Sequence, residues 1–254
     1  MGTDNASQQI ALVTGANKGI GRATAERLAA RGATVLVGSR DLGRGERVAA
    51  AIRADGGDAR AVALDVTDQT AIDRAAKEIE ERYGRLDALV NNAGISGSGN
   101  AAPQDAADRV PSAVDLAVVR EVFEVNVFGV IAVTNAMLPL LRRSARARIV
   151  NLTSHAASLT LYADPDGPFT DLPSAAYSPS KTALNAVTVQ YANELRAEGI
   201  LVNAAAPGYV DTEINGNTGV LTPAQAAEHI ADLAVLGADG PTGAFSSADG
   251  PLPW

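Results

Sequence analysis

An α/β fold with a doubly wound, predominantly parallel sheet follows from three features of the sequence. Short apolar runs rich in β-branched residues alternate with stretches of helical periodicity. The runs are almost continuously apolar, as strands covered on both faces are, without the one-in-two alternation of a sheet with a wet face. A glycine-rich turn separates the first apolar run from the first helical stretch, where open parallel sheets bind their ligands. The 254 residues show no internal repeat, linker or break in composition, so residues 1–254 are expected to form a single domain.

The elements are read in order. Strands are expected in IALVTG (Ile10–Gly15), ATVLVGS (Ala33–Ser39), ARAVALDV (Ala59–Val66) and LDALVNNAG (Leu86–Gly94). RIVNLTS (Arg148–Ser154) and ILVNAAAPG (Ile200–Gly208) continue the series, and GAFSSADG near the C-terminus closes it. Helical patterns cover Ile20–Arg31, Arg44–Ala54, Thr70–Tyr83, Ala113–Leu141 and Ala176–Glu198. Residues 95–112 and 161–173 are polar or proline-rich and irregular. Both follow strand ends, where loops serve as lids or substrate contacts.

Composition narrows the chemistry. A net charge of −8 disfavours nucleic acid and anionic membrane as partners. The basic cluster Arg142, Arg143, Arg146 and Arg148 reads as charge at a helix C-terminus, facing solvent. The first nine residues are polar and have no apolar core, so no signal peptide is expected. Myristoylation of Gly2 would want Ser or Thr where the chain has Ala6. The most apolar long stretch, Val125–Leu141, carries Asn126, Thr134, Asn135 and Pro139 and reads as a buried helix, not a membrane span. A cytoplasmic protein is expected. With no cysteine and two histidines, no metal site is expected.

Directly after the first strand stands TGANKGIG (Thr14–Gly21), with glycines at 15, 19 and 21. Glycine lets the backbone approach a pyrophosphate, which then meets the N–H groups of a helix N-terminus. Many helices follow glycine turns without a ligand. Between the first strand and first helix of a doubly wound sheet, though, the pattern points to dinucleotide binding by Gly15, Asn17, Lys18, Gly19, Ile20 and Gly21. A free ribose 2′-OH calls for an acid at the end of the second strand and a 2′-phosphate for a cation. Here Ser39 is followed by Arg40 and then Asp41, and Lys18 is a second cation, so NADP(H) is expected. Asp65 and Val66, at the end of the third strand, border the adenine.

YSPSK (Tyr177–Lys181) places a phenol and an ammonium four residues apart, on one face of any helix they share. Pro179 between them is tolerated only in a first turn, so that helix starts close to Ala176.

The motifs come in one order: TGANKGIG, NNAG (Asn91–Gly94), Asn126, Ser154, YSPSK and PGYVDT (Pro207–Thr212). In this the chain resembles the short-chain dehydrogenase/reductase family over nearly its whole length. The resemblance implies a Rossmann-type sheet of seven parallel strands and hydride transfer at a carbonyl or alcohol carbon. It implies a catalytic tetrad of Asn126, Ser154, Tyr177 and Lys181, and cofactor contacts from Asn92, Ala93, Gly94, Tyr177, Lys181, Pro207, Gly208, Val210 and Thr212. In such a site Tyr177 gives the proton, Ser154 bonds the same oxygen, and Lys181 is expected to lower the Tyr177 pKa toward neutrality. The family's lysine also holds the nicotinamide ribose, and its asparagine supports a water-linked proton path.

Ser154 and Tyr177 are 23 residues apart, longer than is usual for the family. That spacing resembles the carbonyl-reductase branch, in which an insertion, here residues 155–175, precedes the tyrosine. A monomer or homodimer is therefore expected, with residues 213–236 as a substrate lid. His155 and Tyr209 are expected to line a mostly apolar pocket suited to a neutral ketone or aldehyde. A Ser154–His155 hydrolase is not supported, because the chain has no G-x-S-x-G elbow. Rival readings are an NADP(H)-binding sensor or scaffold without turnover, and a reductase of the same family acting on another bond. His229 receives no role, and Phe245 and Trp254 read as packing residues.

Overall fold

The computed structural model describes residues 8–97, 110–169 and 172–254. The polar N-terminal residues, most of the 95–112 segment, and Thr170 and Asp171 of the insertion lie outside them. Along the chain run β1 (Ile10–Val13), α1 (Gly19–Ala30), β2 (Thr34–Ser39), α2 (Leu42–Ala54), β3 (Asp58–Ala63) and α3 (Gln69–Tyr83). Then follow β4 (Ala88–Asn91), α4 (Leu116–Phe123), a π-helical turn (Glu124–Phe128), α5 (Gly129–Leu141) and β5 (Arg148–Leu152). The last part comprises α6 (Leu159–Ala163), α7 (Tyr177–Leu195), β6 (Leu201–Ala205), α8 (Pro223–Ala234), β7 (Phe245–Ser247) and β8 (Gly250–Pro251).

The sheet order is β3-β2-β1-β4-β5-β6-β7-β8. Every neighbouring pair is parallel except β7 with β8. The expected seven parallel strands are therefore joined by an eighth, two residues long, which turns back along the edge. Strand order reverses between β1 and β4, and the crevice beyond their carboxyl ends is where such sheets hold ligands.

Period-two alternation sends the strand side chains into two cores. Val13, Val35 and Val37 meet Leu28, Val48, Ile52, Ile230 and Leu233 from α1, α2 and α8 on one face. Leu12, Leu36 and Leu89 meet Ile72, Ile79, Val133, Met137 and Leu195 from α3, α5 and α7 on the other. Among the described residues no helix is long and apolar enough to cross a membrane.

Several expectations shift. Ile230 and Ala231 are fully buried in the first core. The second half of the 213–236 segment is thus a layer of the fold, and only the part before Thr222 can act as a lid. β3 stops at Ala63, so Asp65 and Val66 lie beyond it. There Asp65 Oδ1 accepts from Thr67 N at 3.0 Å and Thr67 Oγ1 at 2.8 Å, turning the chain toward α3. Arg148 is not solvent-facing charge: it is 2 % exposed and starts β5. Its guanidinium donates to Leu236 O and Gly237 O, each at 2.9 Å, satisfying carbonyls just beyond α8. Arg142 and Arg143 do face solvent, pairing with Glu198 and Glu80.

Candidate active site

At the carboxyl end of β1 the chain turns through Gly15 (φ +63°) and Gly19 (φ +53°), a left-handed backbone that favours glycine. Gly21 serves a different need. A Cβ there would stand 2.3 Å from Asn92 Nδ2 and 2.7 Å from Gly15 O. That amide donates to Thr14 O (2.8 Å) and Gly15 O (3.2 Å), while Thr14 Oγ1 accepts from the N–H groups of Asn92 and Ala93, both at 3.0 Å. The segment after β4 is thus stitched to the turn after β1 across the switch point. Thr14 is the stitch that motif reading left without a role.

The N-terminus of α1 has no capping side chain and no acidic residue in its first turn. Its neighbours differ, since Asp41 caps α2 and Asp68 caps α3. The first N–H groups of α1 and the positive end of its dipole therefore fit an anionic group such as a pyrophosphate. Lys18 stands at the N-cap position, exposed, with Nζ 2.5 Å from Glu213 Oε2. Ser39 is buried and donates to Asp41 O at 2.8 Å. The Asp41 carboxylate is engaged by Arg44, through its N–H at 3.0 Å and its guanidinium at 3.3 Å. These contacts, the backbone N–H above all, hold it below the usual carboxylate range. Asp41 is the helix cap of α2. Arg40 is exposed and has no carboxylate within 4 Å among the described residues. Thr212 is the nearest neighbour of Gly19, its Cγ2 3.5 Å from where a Cβ would be.

Across the crevice, α7 begins at Tyr177 with Pro179 in its first turn, as the spacing of YSPSK predicts. Lys181 Nζ lies 5.9 Å from the centre of the Tyr177 ring and donates to Leu152 O at 2.7 Å. Lys181 is buried, and loss of hydration brings its pKa down to about 8. Tyr177 keeps part of its surface exposed, yet burial pushes its phenol above the ordinary value. A hydrogen bond from Ser154 works against this, and the nearby Tyr162 adds to it. The expected lowering of Tyr177 by Lys181 does not appear in the free protein: loss of hydration raises the phenol, and the group that opposes this is Ser154.

Ser154 lies just past the end of β5, in extended backbone, and caps a 3-10 turn at His155–Ala157 by accepting from Ala156 N at 3.2 Å. Asn126 is fully buried in the π-helical turn. Its Oδ1 accepts from Ile95 N and its Nδ2 donates to Ile95 O, both at 2.9 Å. Nδ2 also donates to Ser180 Oγ at 3.0 Å, and Ser180 Oγ donates to Tyr177 O at 2.6 Å. Asn126 therefore ties the segment after β4 to the first turn of α7. Ser180 is the link, visible in YSPSK yet not singled out. Gly94 completes this contact, since a Cβ there would be 3.2 Å from Asn126 Oδ1 and 3.4 Å from Lys181 Nζ.

His155 is half-buried and burial holds its pKa below the ordinary value. Beyond Pro207 and Gly208 (φ +87°), residues 209–221 form a loop closed by a single parallel bridge between Val210 and Leu221. Val220 and Leu221 N–H donate to Tyr209 O at 2.9 and 3.0 Å, and Asp211 N to Leu221 O at 2.8 Å. The Tyr209 and Thr218 hydroxyls are bonded to each other. Val210 is buried, and its carbonyl accepts from Asn215 Nδ2 at 2.9 Å. The insertion is anchored beside the phenol: Tyr162 stacks on Phe169 at 5.3 Å and its hydroxyl lies 2.9 Å from Ser178 Oγ. Phe245 and Trp254 stack on each other at 5.3 Å, and His229 Nε2 is 3.1 Å from Ser246 Oγ.

The short chain dehydrogenase family model matches residues 9–220. The short-chain dehydrogenase anuI of Penicillium roqueforti is 36% identical over 91% of this chain and 90% of its own length. The (+)-neomenthol dehydrogenase of Capsicum annuum is 31% identical over 96% of this chain and 97% of its own. Among solved structures, salutaridine reductase from Papaver somniferum superposes with a TM-score of 0.78 at 29% identity, covering 94% of this chain and 99% of that one. With the motif residues gathered on two sides of one crevice and the match running over most of its length, the chain belongs to the short-chain dehydrogenase/reductase family of nicotinamide-dependent oxidoreductases.

Proposed function

We propose that the protein reduces a neutral ketone or aldehyde with NADPH, and oxidises the alcohol in reverse, with Tyr177 handling the proton at the carbonyl oxygen. The observation that carries this reading is the grouping at the start of α7. A phenol that loses hydration stands beside Ser154, and a buried ammonium lies 5.9 Å from the ring centre.

When bound, the nicotinamide supplies the hydride. The phenol, raised by burial, is protonated at neutral pH and so is ready to donate as negative charge develops on the substrate oxygen. Ser154 stabilises that oxygen with a second hydrogen bond. The phenolate left behind is held by Lys181, whose pKa of about 8 leaves it largely charged at pH 7. Asn126 and Ser180 keep the first turn of α7 in register with the segment after β4. For the cofactor, the uncapped N-terminus of α1 would receive the pyrophosphate, Lys18 and Arg40 the 2′-phosphate, and Asp65 and Val66 the adenine. Asn92, Ala93, Gly94, Lys181, Pro207, Gly208, Val210 and Thr212 would hold the nicotinamide half.

His155 and Tyr209 line the substrate side, with Leu159 and Ile214 exposed nearby in sequence. None of these four residues is a lysine or arginine, which favours a neutral substrate. The names of two similar proteins, a dehydrogenase of neomenthol and a reductase of salutaridine, fit that class. The anchored insertion favours a monomer or homodimer, and a stable tetramer in light scattering would overturn that part.

The test is NADPH oxidation against a panel of neutral ketones, aldehydes and quinones, with NADH in parallel and with Tyr177→Phe beside the wild type. Turnover favouring NADPH is expected. Loss of the proton donor should lower it about 10²–10⁴-fold and leave NADPH binding nearly unchanged. A preference for NADH overturns the cofactor assignment, and normal rates in Tyr177→Phe overturn the proton donor. Tight NADPH binding without turnover on any carbonyl shifts the reading to a sensor.

A further inference from the structure

The cation at the start of α1 already has an anion. Lys18 Nζ and Glu213 Oε2 meet at 2.5 Å across 195 positions of sequence. The contact joins the glycine-rich turn to Glu213–Asn215, a short helical turn within the 209–221 loop. The same turn is held from the other side, where Ser96 Oγ donates to Ile214 O at 3.3 Å. Residues 212–215 thus reach from the β1–α1 turn to the segment after β4, over the place where the two halves of the sheet diverge.

We propose that Glu213 is a nucleotide-selectivity residue. Its carboxylate holds the position at Lys18 that the cofactor's 2′-phosphate takes, so that a 2′-phosphorylated nucleotide binds by exchanging one anion for another. This rests on the reading of Lys18 as a 2′-phosphate contact. A carboxylate and a doubly charged phosphate at one ammonium repel each other, so arrival of the phosphate favours displacement of the carboxylate. Both partners are more than half exposed, 55% and 56%, which makes the pair weak and readily exchanged, not a permanent clasp. Arg40 has no carboxylate within 4 Å among the described residues, so it can meet a phosphate without any exchange. An unphosphorylated nucleotide makes no demand on Lys18, and for it the pair persists. Glu213 therefore weakens NADPH binding selectively, and it links arrival of the phosphate to release of residues 212–215 from the glycine-rich turn.

The test is the dissociation constant of NADPH and of NADH, read by nucleotide fluorescence, for the wild type, Glu213→Gln and Lys18→Met. Amide hydrogen exchange of residues 211–221 is followed in the same ligand-free proteins. Glu213→Gln is expected to tighten NADPH about two- to five-fold, leave NADH unchanged, and lose this gain at about 0.5 M salt. Exchange in 211–221 should quicken in both variants, with the rest of the chain unaffected. Unchanged or weaker NADPH binding in Glu213→Gln, with Lys18→Met selectively weakened for NADPH, overturns the proposal and leaves the cofactor reading intact. Equal tightening of both nucleotides also overturns it, since that is a net-charge effect. Unchanged NADPH binding in Lys18→Met overturns the cofactor reading and this proposal with it.

Discussion

At the β1–α1 turn, the groups facing the crevice are backbone N–H donors left free because α1 has no capping side chain. At the first turn of α7 they are side chains, a partly exposed phenol and a buried ammonium, each shifted by loss of hydration. The first end needs close approach and correct backbone direction, so its essential residues are those that lack a side chain. The second needs proton affinities shifted from their ordinary values, so its essential residues are buried ionisable groups. Asn92 and Asn126 join the two through the segment after β4, the first reaching Thr14 and Gly15, the second reaching Ser180.

The first end breaks most severely at Gly21. Alanine is the better helix former by about 1 kcal/mol, so in isolation Gly21→Ala would stabilise α1. Here the new Cβ would stand 2.3 Å from Asn92 Nδ2 and 2.7 Å from Gly15 O, so the amide must leave its two carbonyl acceptors. Overpacking and the lost hydrogen bonds together outweigh the propensity gain. A net loss of about 2 kcal/mol is expected in urea unfolding, together with at least tenfold weaker nucleotide binding. Unaltered stability and binding would show that the turn tolerates a side chain, and the contrast between the two ends would fail.

The second end is broken by pH. Lys181 has a folded pKa of about 8 against 10.5 for an ordinary lysine. Below pH 8 both folded and unfolded chains carry its proton, and the cost of burying the charge is fully present. Between pH 8 and 10.5 the unfolded chain binds more protons than the folded one, so stability rises with pH. From pH 8 to 9.5 this gain is roughly 1–2 kcal/mol, an order-of-magnitude figure from the size of the shift. Tyr177 is pushed the other way, above its ordinary value, by burial. Urea titrations of the wild type should show the rise, and Lys181→Met should lack it. Equal slopes in the two proteins would mean that Lys181 is not desolvated.

These two ends were unequally legible in the sequence. The glycine turn could be read because its demands are local: position after a strand, spacing, and the start of a helix. The YSPSK spacing likewise placed the α7 start correctly, since proline restricts where a helix begins. What the spacing could not show is burial, so the ammonium was expected to lower the phenol when both groups in fact lose hydration together. Apolar runs also overstate strands, because a turn such as that at Asp65 continues the run without continuing the ladder. The helical pattern over 113–141 does not register the extra residue of the π-helical turn that carries Asn126. Arg148 illustrates the same limit, as its acceptors lie 88 and 89 positions away at the end of α8. Glu213 has no local signal at all.

The smallest effect sharpens the contrast from its control side. α3 begins just past β3, at the same edge of the sheet as α1, but Asp68 accepts from Thr70 N at 2.9 Å and occupies its N-terminus. Asp68→Ala should cost about 1 kcal/mol of stability, the usual effect of removing a cap, and should leave nucleotide binding unchanged. If caps in this molecule serve only helix stability, the N-terminus of α1 carries a need that no capping side chain meets among the described residues. The measurement that separates these cases is thermal unfolding with and without NADPH. The nucleotide should stabilise the wild type and Asp68→Ala by the same increment, since its binding energy is added at α1 alone. A smaller increment in Asp68→Ala would place the cap of α3 inside the binding site and dissolve the distinction between a helix N-terminus closed for stability and one left open for a ligand.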